Sequence, residues 1–167
     1  MRFEYDDGGR EAAEFRGTTR DCVTRAVAIA AEMPYEEVYE RLACGTGNER
    51  KSKGRSARNG IHTSQKWFKE FMKAIGFVWT PCMGIGTGCK VHLRDGELPM
   101  GRLVVAVSKH YTAVIDGVIH DAFNPQREVH VCEPDRGQEL KPGQTRNQNG
   151  VFTIQRRRVY GYWKLID

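Results

Sequence analysis

The stretch from Leu103 to Phe123 constrains the fold more than any other part of the chain. Leu103-Val104-Val105-Ala106-Val107 is apolar without alternation, as expected for a central strand covered on both faces. His110 to Ile115 and Val118 to Phe123 then flank Asp116-Gly117. Two such runs around Asp-Gly predict a hairpin with a two-residue turn, because both turn positions need left-handed backbone. In that register Ile115 opposes Val118, Thr112 opposes Asp121, and His110 opposes Phe123. Alternation places His110, Thr112, Val114, Ile119, Asp121 and Phe123 on one face. His110 and Asp121 become diagonal neighbours within reach of each other. A slip of one residue would put His120 in that position instead.

The first half of the chain carries helical periodicity. Val23, Ala26, Val27 and Ala30 recur at helical spacing, which predicts a helix from about Asp21 to Ala31 with one buried stripe. Thr18, Thr19 and Asp21 before it are helix-capping residue types. Pro34 and the acids after it open a second helix with Tyr35, Val38, Tyr39 and Leu42 on its apolar face. Cys44 to Gly60 reads as a basic, solvated loop. Trp67, Phe68, Phe71, Met72 and Ile75 mark a third helix, from Thr63 to Ile75, capped by Thr63 or Ser64 and ended by Gly76. Residues 1–16 read as a loose arm or edge strand, and Phe77-Val78-Trp79 as a short strand. Val129-His130-Val131 reads as another strand, Glu133 to Gly150 as a long loop, and Val151 to Ile166 as one or two closing strands.

Composition sets outer bounds. A chain of 167 residues fits one domain with a core large enough to need no staples. No apolar run approaches membrane-spanning length, and the N-terminus has no signal-peptide character, so no membrane association is expected and the cytoplasm is the expected compartment. The five cysteines, Cys22, Cys44, Cys82, Cys89 and Cys132, are odd in number and irregularly spaced, which favours free thiols. Cys82, Cys89 and His92 lack the tight ligand pairs of structural zinc sites, so neither metal nor cofactor is expected. The net charge of +5 permits weak attraction to acidic partners.

Cys22 sits in the first turn of the first predicted helix, where unpaired backbone N–H groups and the helix dipole favour a thiolate. A thiolate that attacks a carbonyl needs an imidazole to stabilise it and then to protonate the leaving group. The imidazole in turn needs a carboxylate or amide to orient it. Cys22, His110 and Asp121 supply these roles in chain order, with Asn124 as an alternative orienting group.

These pieces resemble the papain-like cysteine peptidase superfamily, and most closely its compact bacterial and phage branches. The carrying stretches are Asp21-Cys22-Val23-Thr24-Arg25-Ala26 at a helix start and Lys109 to Asp121 on a hairpin. Residues Asp21 to Tyr39 and Gly88 to Asp121 are also similar to small proteins encoded by tailed phages and prophages, which would extend the expected compartment to a host cytoplasm. The resemblance implies an α+β, papain-like fold in a single domain spanning 1–167. Its N-terminal helical half, about 17–76, packs on a C-terminal antiparallel sheet half, about 77–167. It implies hydrolysis or transfer at an amide of a peptide or protein substrate, through a thioester on Cys22.

Papain-like enzymes place a Gln shortly before the cysteine to hold the oxyanion. Here the stretch is Phe15-Arg16-Gly17-Thr18-Thr19-Arg20. The Cys22 backbone N–H and a donor such as Thr19, Arg16 or Arg20 would have to serve. Two other readings compete with the hydrolase. One is a catalytically silent adaptor or inhibitor that binds a host protein through the basic loop Arg50 to Arg58 and the Gly-rich loop Cys82 to Leu93. The other, ranked last because no recognition motif supports it, is nucleic-acid binding through Lys51, Lys53, Arg55, Arg58 and Arg156 to Arg158.

Overall fold

The apolar run Leu103 to Val107 becomes the centre of the molecule. In the computed structural model, which describes residues 1–47, 55–86, 88–141 and 144–166, it forms the strand Arg102–Val107. In chain order the strands are β1 (Arg2–Tyr5), β2 (Phe77–Pro81), β3 (Met83–Gly84), β4 (Gly88–Cys89), β5 (Arg102–Val107), β6 (His110–Ile115), β7 (Val118–Asp121), β8 (Glu128–Glu133), β9 (Gln144–Asn147), β10 (Gly150–Arg156) and β11 (Val159–Leu165). The helices are α1 (Cys22–Ala31), α2 (Tyr35–Gly47) and α3 (Lys66–Ala74). The architecture is α+β. A six-stranded sheet runs β1-β7-β6-β5-β11-β2, antiparallel except where β1 pairs parallel with β7. A three-stranded sheet, β8-β10-β9, and the two-stranded β3-β4 stand beside it.

The hairpin of β6 and β7 has the expected register, with Ile115 opposite Val118 and Val114 opposite Ile119. Asp116 and Gly117 both take left-handed backbone, φ 46° and 80°. The Asp116 carboxylate also accepts the Gly101 N–H at 2.9 Å, so the turn is tied to the strand before it.

Both faces of β5 are covered, as a continuous apolar strand requires. One face packs Val104, with Ala113 of β6 and Trp163 of β11, against the stripe Val23, Ala26, Val27 and Ala30 of α1. Phe68 and Met72 of α3 and Val38 and Leu42 of α2 complete this layer, so one core draws on both the helices and the sheet. The other face gathers Leu103, Val105, Val107, Val114, Ile119 and Val159 with Leu93.

Several elements differ from expectation. α2 runs on to Gly47 instead of ending before Cys44. Tertiary packing overrides the glycines there, since a Cβ on Gly45 would sit 2.2 Å from the Trp67 ring. α3 starts at Lys66, with Gln65 at its N-cap position and no side-chain cap. Thr63 instead accepts a hydrogen bond from the Tyr111 hydroxyl at 2.8 Å. The stretch 133–150 contains strand β9, paired with β10 through a turn in which Asn147 Oδ1 accepts the Asn149 N–H. Residues 1–16, by contrast, include an edge strand, one of the two forms expected of them. Lys51, Lys53 and the rest of 48–54 lie outside the described residues. No helix is long and apolar enough to cross a membrane among the described residues.

Gly161 marks where β11 presses on β2. A Cβ there would meet the Trp79 ring at 2.3 Å and the Thr80 carbonyl oxygen at 2.7 Å. The carbonyl belongs to the sheet backbone and cannot step aside as a side chain could. Gly161→Ala is therefore expected to lower stability by about 1–3 kcal/mol, the usual cost of overpacking, read as a reduced midpoint in urea unfolding.

Candidate active site

Helix α1 presents Cys22 at its first position, half-buried at the edge of the helical layer. Asp21 occupies the N-cap position but makes no side-chain cap. Its carboxylate, 2% exposed, turns inward. It accepts a hydrogen bond from the Tyr35 hydroxyl at 2.6 Å. Arg10 Nε and Arg25 Nε lie 3.0 and 3.1 Å from it as ion pairs, neither aligned as a hydrogen bond. Burial and the bond to Asp21 together push the Tyr35 hydroxyl well above the usual tyrosine range. At the opposite end of α1, Arg102 of β5 donates to the carbonyls of Ala30 and Ile29, each at 2.7 Å. A cation on the last carbonyls complements the helix dipole. The helix is thus fixed to its surroundings at both ends.

His110 is the first residue of β6, directly after Lys109, whose φ of 58° turns the chain sharply. The ring is nearly buried, and its Nε2 lies 2.6 Å from Asp121 Oδ2. The second Asp121 oxygen accepts the Ala122 N–H at 2.7 Å, which holds the carboxylate in place. Cys22 adjoins the same imidazole closely enough to act on its titration. With Nε2 committed to Asp121, Nδ1 is the ring nitrogen left for the sulfur. The Phe123 ring packs on the imidazole at a centroid distance of 4.8 Å. Burial pulls the His110 pKa down. The hydrogen bond to Asp121, the adjoining Cys22 and the charges on both outweigh it and push it up to about 9. His110 is therefore an imidazolium at neutral pH.

Three of the expected site residues, Cys22, His110 and Asp121, thus meet. His120 is excluded from this position. It pairs with Ala113 in the ladder and faces Glu4 and Asp6, at 3.8 and 3.9 Å. Asn124 does not orient the imidazole, in contrast to the alternative weighed above. Its side-chain oxygen accepts the Gln126 backbone and side-chain N–H groups at 3.0 and 3.2 Å, closing a turn. Thr19 accepts the Asp21 N–H at 3.3 Å. Arg16 and Thr19 line a small cavity of about 280 Å³ with Phe15, Tyr35, Tyr39 and Arg58, apart from the sulfur and the imidazole. The Arg20 backbone N–H is bonded to the Arg58 carbonyl at 2.9 Å. Among the described residues, no hydrogen bond or ion pair links Arg16, Thr19 or Arg20 to Cys22 or His110.

Cys89 Sγ donates to the Val91 carbonyl at 3.0 Å. Cys82 lies near Cys89, and burial followed by that neighbour raises its thiol pKa. His92 Nδ1 pairs with Glu97 at 3.2 Å. No cluster of three or more metal-ligating side chains is found among the described residues.

Two features of the site escaped the sequence reading. Asp21 is a buried hub, for which the only signal was Arg25 one turn later. Phe123 covers the imidazole, which hairpin alternation placed on the correct face without revealing the contact. His110 and Phe123 also line an open cleft of about 1140 Å³ on the side away from the helices. No protein-family model, curated protein or solved structure matches the chain.

Folding raises the His110 pKa from the ordinary 6.5 to about 9. The stabilisation it contributes is complete below 6.5 and is lost as pH climbs through about 9. In Asp121→Asn the imidazole loses its anionic partner, so its titration, followed by NMR of the ring protons, is expected to move down from about 9. The fall in stability over the same pH range is expected to shrink with it.

Proposed function

We propose that the chain is a cysteine hydrolase of the papain-like type, cleaving amide bonds of a peptide or protein through a thioester on Cys22. The observation that carries this reading is the continuous contact from Cys22 to His110 to Asp121, with the imidazole charged at neutral pH. A helix that carries the cysteine, packed on an antiparallel sheet that carries the histidine and acid in that chain order, also supports it.

In this reading the Cys22 thiolate attacks the carbonyl carbon of the substrate amide. The oxyanion that forms is met by the Cys22 backbone N–H, in the helix turn whose amides lack intrahelical partners. As the C–N bond breaks, His110 gives its proton to the departing amine. A thioester remains on the sulfur. Neutral His110 then takes a proton from water, which attacks the thioester carbon. The C–S bond breaks, the product leaves as a carboxylic acid, and the thiolate–imidazolium pair is restored. Asp121 keeps one ring nitrogen occupied, so the other always faces the sulfur.

The pairing makes Cys22 distinctive among the thiols. Cys44 and Cys132 are exposed, whereas Cys22 is only half so. Iodoacetamide at neutral pH is nevertheless expected to label Cys22 first, as followed by mass spectrometry of tryptic peptides. Equal or slower labelling at Cys22 would sink the hydrolase reading. Cys22→Ala is expected to remove thioester formation altogether while changing stability by no more than about 1 kcal/mol. In an active preparation kcat/KM should fall on the alkaline side with a midpoint near 9, where His110 loses the proton that the leaving amine needs.

A further inference from the structure

The cleft beside His110 is built from positive charge. Seven of its lining residues are lysine or arginine, and its one carboxylate, Glu97, is already engaged by Arg94 and His92. Seven cations less one carboxylate leave an excess of six among the lining residues, or five once Glu128, which pairs with Arg156 at 3.7 Å, is included, against +5 for the whole chain. The rest of the protein is therefore close to neutral, and the basic character resides here. Lys90, Lys109, Arg127 and Arg158 are exposed and form no ion pair with any described carboxylate. Arg157 is tethered by its bond to the Ser108 carbonyl, while its Nε is buried without a hydrogen-bond partner. Like charges crowded in this way repel one another, and a ligand that carries negative charge relieves the repulsion. The exposed apolar side chains Phe123, Val129, Ile154 and Tyr160 stand among the cations. They offer contacts to the carbon skeleton of a polypeptide between its charged groups.

The position of His110 gives the cleft a direction. The imidazole is the link between the sulfur and the cleft, since it adjoins Cys22 and also lines the cleft. During amide cleavage the acyl carbon sits at the sulfur, and the departing nitrogen must come to the imidazole for its proton. The chain that continues from that nitrogen then runs into the cleft. We propose, building on the hydrolase reading, that the cleft binds the segment C-terminal to the scissile amide and selects aspartate and glutamate in it. A polypeptide is favoured over a nucleic acid because the neighbouring chemistry acts on an acyl carbon, which a nucleic-acid backbone does not offer.

Binding can be measured apart from turnover by using the full chain carrying Cys22→Ser. Fluorescein-labelled peptides of equal length, rich in glutamate, glutamine or lysine, would be titrated by anisotropy, alongside an oligothymidylate. The glutamate peptide is expected to bind at least about ten-fold more tightly than the isosteric glutamine peptide, with the margin shrinking as salt rises. The double variant Arg127→Glu, Arg158→Glu should abolish that preference with an unchanged circular dichroism spectrum. Equal binding of the glutamate and glutamine peptides would overturn the proposal, as would an undiminished preference in the double variant. Tighter binding of the oligothymidylate would instead make the cleft a nucleic-acid surface. Direction is read by sequencing the products of a peptide library digested by the unmodified chain. Acidic residues enriched after the cut support the assignment, and enrichment before it overturns the direction. A glutamate preference with no cleavage of any library member would overturn the hydrolase reading while upholding recognition of acidic segments.

Discussion

Helix α1 is held by charge at both ends, and the position of Cys22 follows from that. At its start the buried Asp21 carboxylate joins Arg10, Arg25 and Tyr35. At its end Arg102 reaches from the central strand to the last carbonyls. Between these anchors the helix offers a face rich in alanine, and the sheet opposes it with Val104 and Ala113. Small side chains on both surfaces let the helix lie close to the strands. A buried carboxylate between two guanidinium groups is costly to break, because removing one partner leaves charge uncompensated in a dry place. The register between helix and sheet is therefore held firmly, and the sulfur has little freedom to drift from the ring.

The same economy of space explains the charge state of His110. A buried imidazole alone would favour its neutral form. Here Asp121 is aligned with one ring nitrogen and its second oxygen is held by a backbone N–H. The charged ring is better solvated by these fixed groups than burial can offset. Phe123 covers the assembly from the cleft side, which reduces the screening that water would bring. The charge is a product of geometry set by the hairpin turn, eleven residues separating the partners in sequence.

Much of this was legible from residue order. The Asp116-Gly117 turn determined the hairpin register, and the register alone put His110 and Asp121 together while sending His120 to Glu4 and Asp6. The stripe of α1 was plain from helical spacing. What stayed hidden depends on contacts between distant segments. Gly45 and the residues around it look like a loop until Trp67 packs against them. Asp21 looks like a cap until Arg10 and Tyr35 arrive from either side. Asn124 seemed able to serve as an orienting amide, but a local turn to Gln126 claims its oxygen first. Strand β9 lacks any apolar pattern because its residues are mostly exposed, so no periodicity could mark it.

The small sheet of β8, β10 and β9 supplies one wall of the cleft yet contributes to neither core cluster, Val151 being its one fully buried hydrophobic residue. In the hydrolase reading proposed above, reactivity and selectivity would therefore rest on different layers. The layer that would choose what enters could then accumulate substitutions without loosening the layer that holds Cys22, His110 and Asp121. Descendants of one ancestral fold could in this way exchange preferences while inheriting the same chemistry.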